Sequence, residues 1–147
     1  MLSVLPLANG MRLEHFGSTA VPNLRAKPVI DILVIHPEPA LWPALVGPIT
    51  SAGYAYWSEN PRKDRMFFVK GMPPFGARRT HHVHVRLPRD AEAELVFRDL
   101  LRAHPALVRR YEMLKLDLAA RFPGNRDAYT AGKTEFVASA LGHLSNR

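Results

Sequence analysis

Three groups of polar side chains break otherwise apolar stretches of this 147-residue chain, and each suits a particular chemistry. The first is Gly17-Ser18, within His15-Phe16-Gly17-Ser18-Thr19-Ala20-Val21-Pro22. A Gly-Ser turn leaving a strand presents backbone N–H groups and a hydroxyl at close range, as phosphate oxygens require. The second is Asp31, placed inside the Val/Ile/Leu run from Pro28 to Ile35. An ionised carboxylate there is costly to bury alone, so it must meet a cation, a partner or a cleft. The third is Thr80 to Leu87, where Val83, Val85 and Leu87 alternate with His82, His84 and Arg86. Alternation puts the two imidazoles and the guanidinium on one face of a strand. Such a face either meets water or, beside Asp31, combines a carboxylate, two imidazoles and a cation able to hold a metal or polarise a phosphate.

Charge composition bears on the partner. The chain has 20 Lys plus Arg against 13 Asp plus Glu, for a formal net charge of +7. Most of the surplus falls between Arg62 and Arg89, a stretch holding Arg62, Lys63, Arg65, Lys70, Arg78, Arg79, Arg86 and Arg89 against Asp64 alone. That stretch is read as favouring an anion such as a nucleotide phosphate or RNA, or as a solvated basic face. The absence of cysteine excludes disulfides, thiolate zinc sites and a cysteine nucleophile.

The elements that must position these groups follow from the apolar period. Strands are predicted at Arg12–Phe16, Pro28–Ile35, Tyr54–Trp57, Arg65–Lys70 and Thr80–Leu87, with a helix over 40–52 limited by Pro48 and Gly53. Gly71 to Gly76, with Pro73 and Pro74, is turn chemistry. From Asp90, read as an N-cap, the period becomes helical. Helices are expected from Asp90 to the His104-Pro105 boundary, then to Phe122 before Pro123-Gly124, and from about Arg126 through Leu144. Strands followed by a run of helices predict one α+β domain over 1–147, with helices packed on one side of a mixed sheet. The opening Met1–Ala8 lacks a basic region and is too short for a secretory signal. The uncharged run 39–58 is broken by Pro and Gly, so no membrane span is expected and the cytoplasm is the default.

Several ordered segments together resemble the GrpB family over about residues 12 to 137. They are Glu14 to Val34, Arg79 to Val85, Phe97 to Arg102, Tyr111 to Lys115 and Tyr129 to Lys133. The resemblance implies a nucleotidyltransferase-like fold, similar also to the domain fused to some dephospho-CoA kinases. In that superfamily a Gly-Ser turn precedes a strand with two acids at i and i+2, and a later strand supplies a third. Such acids hold divalent ions that bridge a triphosphate. Gly17, Ser18 and Asp31 map onto the turn and the first acid, whereas position 33 is leucine and the later strand offers His82 and His84.

The implied site therefore has Asp31, His82 and His84 as metal ligands and catalytic candidates, with His82 or His84 as ligand or general base. Gly17, Ser18, Lys27, Arg79, Arg86, Arg98, Lys115, Tyr129 and Lys133 are its phosphate or nucleotide contacts. Arg86 would stabilise developing phosphate charge. The implied cofactor is divalent magnesium or manganese, with zinc admitted by the imidazoles. The leading expectation is a nucleotidyltransferase-like protein binding a nucleotide or other phosphorylated molecule in a basic cleft. The alternatives are a noncatalytic module for a nucleotide, a coenzyme A precursor or RNA, and a single-metal His/His/Asp hydrolase. Family members usually carry a Trp-containing helix before the first strand, where this chain has Met1–Met11. Sheet surface uncovered there would favour self-association.

Overall fold

The apolar alternation produces five strands in the computed structural model, which describes residues 10–74 and 76–145, the last two as backbone alone. The Met1–Ala8 opening, Phe75 of the Gly/Pro turn and the Leu144 side chain lie outside the described residues. The strands are β1 (Arg12–Phe16), β2 (Ile30–Ile35), β3 (Ala55–Tyr56), β4 (Met66–Lys70) and β5 (His81–Arg86). They form one sheet in the order β1-β2-β5-β4-β3, antiparallel throughout except for the parallel β2–β5 pair.

The Val/Ile/Leu run of β2 is covered on both faces, as continuous apolar strands require. On one face Val34, Val83, Val85, Met66 and Phe68 pack with Trp42, Leu45 and Ile49. On the other, Phe16, Leu33 and Ile35 meet Ala91 and Leu95. The latter two belong to α2 (Pro88–Ala103), which precedes α3 (Pro105–Arg121) and α4 (Arg126–Ser145). These three helices share a second core of Phe97, Leu101, Val108, Tyr111 and Ala140, and Val21 and Leu24 join it. The chain just after β1 is thereby pinned to the helical layer, which fixes the Gly17-Ser18 turn at the junction between sheet and helices. The architecture is α+β, with a mixed sheet and a C-terminal helical run.

Strands β2 to β5 are one or two residues shorter than expected, and two helical boundaries differ for a reason that proline explains. The helix expected over 40–52 is a 3-10 helix, Pro39–Leu45, followed by a short α1, Val46–Ser51. Pro43 and Pro48 lack the N–H that a continuous α-helix would use and crowd the preceding turn. This broken segment covers the sheet face opposite α2. The cap expected at Asp90 lies three residues late, because Pro88 occupies the first helical turn and Leu87 is the N-cap. Proline is well suited to that position, since its missing N–H is unpaired there anyway.

The α3–α4 contact yields a test. A β-carbon on Gly132 would lie 2.5 and 2.9 Å from the two δ-carbons of Leu118, which is buried at 3% exposure. Glycine to alanine inside a helix ordinarily gains about 1 kcal/mol. Here the crowding outweighs that gain, and Gly132→Ala is expected to destabilise by about 1–3 kcal/mol. A urea midpoint that rises in the variant would show that the helices separate freely.

Candidate functional site

Parallel pairing sets Asp31 beside His82 and Leu33 beside His84. Side chains at paired positions share a face, so the aspartate and both histidines point toward the α2 side. His82 Nδ1 donates to Asp31 Oδ1 at 3.0 Å, and His84 Nε2 lies 3.4 Å from the same oxygen. Phe67, across the sheet on β4, packs its ring 5.1 and 4.9 Å from the two imidazoles, and Phe16 meets His84 edge-on at 5.1 Å. The rings are thus held in place by aromatic walls, while the three polar side chains keep about a fifth to a quarter of their surface open.

Burial alone would raise the Asp31 carboxyl, but hydrogen bonds and charge from His82 and His84 outweigh it and hold the pKa at about 2. The carboxylate is therefore ionised at neutral pH, fit to anchor a cation rather than to deliver a proton. One oxygen and one nitrogen from each ring lie within 4.8 Å of one another. Two ligands each ~2.0–2.1 Å from one ion sit roughly 2.9–3.4 Å apart at octahedral or tetrahedral angles. The observed 3.0 and 3.4 Å separations fall in that range. The buried Nε2 of His82 has no hydrogen-bond partner. This donor set fits a single divalent ion.

The Gly17 turn closes on the same carboxylate. Gly17 has φ 74° and ψ −172°, a combination essentially confined to glycine. A β-carbon there would sit 2.8 Å from Asp31 Oδ2. The turn then enters a short 3-10 helix, Ser18–Ala20. Lys115 of α3 donates to Ser18 Oγ at 2.9 Å and to the Arg25 carbonyl at 3.0 Å.

A cleft of about 790 Å³ opens between this turn and the helices, lined in part by Ser18, Lys27, Asp31, His82, Lys115, Tyr129 and Lys133. Lys133 lies over the Tyr129 ring, 4.7 Å from its centre. Burial lowers the Lys133 pKa, with the Asp31 charge opposing and Lys27 adding to the shift. Burial lowers Lys115 too, helped by Lys133 and opposed by Glu112. Among the described residues, neither Lys27 nor Lys133 has an ion-pair partner. Partly desolvated ammonium groups that repel one another are stabilised by an anion placed between them.

Most of the residues expected at the site converge; Arg79 and Arg86 do not, and Arg98 arrives with its guanidinium already engaged. Gly17, Ser18, Lys27, Asp31, His82, Lys115, Tyr129 and Lys133 line the cleft or the pocket adjoining it, and His84 stands against Asp31. Arg86, expected as an anion contact, is instead buried and ion-paired with Glu94 of α2. Arg98 reaches the adjoining pocket. Its guanidinium, however, is bonded to Glu14 and Asp99 at 2.8 Å each and to the His15 carbonyl at 2.9 Å. It ties α2 to β1. Arg79 is exposed in the loop before β5 and lines neither cavity.

The basic stretch Arg62–Arg89 is thus not the source of the cleft's charge: Arg62 and Arg65 pair with Asp64, and Arg86 with Glu94. The lysines come from the loop before β2 and from the helices. Thr130 and Glu94 were missed. Thr130 stands three residues before Lys133 and reaches both cavities, a position its helical spacing from Lys133 could have disclosed. Among the described residues no helix is long and apolar enough to cross a membrane.

Known proteins share the sequence and fold of this chain. The profile described as "GrpB protein" matches residues 1–143. The chain is 55% identical over 133 residues to "UPF0157 protein PA4798" of Pseudomonas aeruginosa, covering 90% of this chain and 55% of that protein. It is 29% identical over 153 residues to a "Dephospho-CoA kinase" of Mycolicibacterium paratuberculosis, covering 88% of this chain and 38% of that one. The crystal structure of "conserved protein GrpB from Enterococcus faecalis" superposes with a TM-score of 0.75 at 35% identity, covering 94% of this chain and 85% of the other. The chain therefore spans only about half the length of the Pseudomonas relative.

Proposed function

The chain belongs to the GrpB family, and from that premise we propose that its cleft binds a phosphorylated small molecule of nucleotide size together with one divalent cation. The observation that carries this reading is the meeting of the Gly17-Ser18 turn, the Asp31/His82/His84 trio and Lys27, Lys115 and Lys133 around one opening. Anion donors and a cation site side by side suit a phosphate that bridges them.

One cation, rather than two, follows from what flanks Asp31. Leu33, the i+2 position on the same face, is fully buried, and the neighbouring strand supplies imidazoles in place of acids. Asp31, His82 and His84 would hold the ion, and imidazole donors favour manganese or zinc over magnesium. Bound there, such an ion polarises a phosphoryl oxygen or lowers the pKa of a bound water. The chain's own groups do the rest. Gly17 lets the backbone approach closely, Lys115 fixes the Ser18 hydroxyl, and Lys133 supplies positive charge from a half-buried position. The similarity to a protein named for phosphorylating dephospho-CoA supports a ligand among nucleotides or coenzyme A precursors.

Titration calorimetry with ribose 5-phosphate, with and without Mn²⁺, tests this reading. Lys133→Met is expected to weaken binding by about tenfold or more, the loss of one charge-assisted hydrogen bond, and Mn²⁺ is expected to strengthen binding in the unsubstituted protein. Affinity indifferent to both Lys133 and Mn²⁺ would overturn it.

A further inference from the structure

The wall of the lysine-lined cleft changes character along α3. Residues three and four apart share a helix face, and the face turned to the cleft runs from Glu112 and Lys115 to Leu116 and Ala119, then to Phe122 at the C-cap and Pro123 beyond it. The strip is polar first and apolar afterwards. From Lys115 to Phe122 it extends about 10 Å, at ~1.5 Å of rise per residue. Leu116 keeps 58% of its surface open, Ala119 and Pro123 are exposed, and Phe122 and Val29, the latter from the loop before β2, are half-buried. A lone exposed leucine is ordinary, whereas an open apolar strip inside one cavity marks a place that something apolar covers. The exposed cations Arg25 and Arg126 belong to other segments of the same lining.

The strip suits an aliphatic chain better than a ring. Each aromatic ring of this lining already carries a cation: the Arg121 guanidinium lies 5.1 Å from the centre of Phe122, and the Lys133 ammonium 4.7 Å from that of Tyr129. The open surface is left to leucine, alanine, proline and valine, which cover an alkyl chain without offering a ring a stacking partner.

We infer that the ligand is a phosphate monoester of an aliphatic alcohol, its phosphate beside Lys115 and Lys133 and its chain laid outward along Leu116, Ala119 and Pro123. The inference rests on the phosphate-binding reading above and names the organic part of the ligand as a chain rather than a base-bearing sugar. Lys115 and Leu116, neighbours in sequence, divide the ligand between them. The lysine meets the charge and the leucine the first carbons. A methylene covering this strip removes apolar surface from water on both partners, whereas a sugar hydroxyl held there loses water without gaining a hydrogen bond.

The test compares n-hexyl phosphate with ribose 5-phosphate by calorimetry in the presence of Mn²⁺. Hexyl phosphate is expected to bind at least about tenfold more tightly, the gain from burying about two methylenes. Leu116→Gln keeps the length and helix propensity of the side chain, and is expected to cut that advantage at least about threefold, with the effect confined to hexyl phosphate. Met113→Gln is the control, since Met113 lies on the same helix at 71% exposure and outside the cleft. It is expected to leave both affinities unchanged. Circular dichroism and melting of each variant confirm folding. Equal affinity for the two probes, an advantage undiminished in Leu116→Gln, or one that falls equally in Met113→Gln overturns the aliphatic arm while the phosphate reading stands. Failure of both probes to bind overturns the two together.

Discussion

Asp31→Asn is expected to abolish the rise in melting temperature that Mn²⁺ or Zn²⁺ produces, with cation affinity falling at least about 100-fold. The amide is nearly the same shape as the carboxylate, so the aromatic walls around His82 and His84 stay in place. What disappears is the only negative charge of the trio. A ligand that binds the native state alone raises the melting temperature by mass action, so loss of affinity is read directly as loss of that shift. Phosphate that is held through the cation should weaken along with cation binding. A Mn²⁺ shift of undiminished size in Asp31→Asn would mean that the ion sits elsewhere.

Gly17→Ala attacks the same carboxylate from the backbone. The new methyl group would stand 2.8 Å from Asp31 Oδ2, and the alanine would have to hold a φ of 74° with ψ −172°. Strain of that kind costs of order 1–3 kcal/mol. The variant is expected to lose about that much stability by urea unfolding and to lose the cation-dependent shift as well. The two penalties are separable. In Gly17→Ala combined with Asp31→Ala the steric clash is gone while the dihedral strain remains, so the pair should be less than additive. Strict additivity would show that turn and carboxylate do not touch.

The periodicity of the sequence disclosed the elements well where one signal dominated. β1 has its predicted limits, and α3 and α4 start where His104-Pro105 and Arg126 place them. Asp31 was legible because a charge inside an apolar run must be compensated, and the histidines because alternation with valine puts them on one face. Charge density misled. Arg86 follows the same alternation as His82 and His84, but its partner Glu94 belongs to a helix whose path over β5 no local pattern discloses. The lysines that line the cleft are isolated in the sequence and are gathered only by the packing of α3 and α4 against the turn at Val21–Leu24. The span 40–52 is helical as its apolar content suggests, but Pro43 and Pro48 divide it into a 3-10 helix and a short α-helix.

The parallel pairing of β2 with β5 has a consequence for how the molecule is made. Asp31 and His82 are 51 residues apart along the chain, and Asp31 and His84 are 53 apart. Contacts of that span form late, because a long loop must be closed before they repay its entropy. During synthesis the Asp31/His82/His84 trio cannot exist until β5 has left the ribosome, so a shorter nascent chain offers only the aspartate. Uptake of a cation by this trio would therefore report that β2 and β5 have paired.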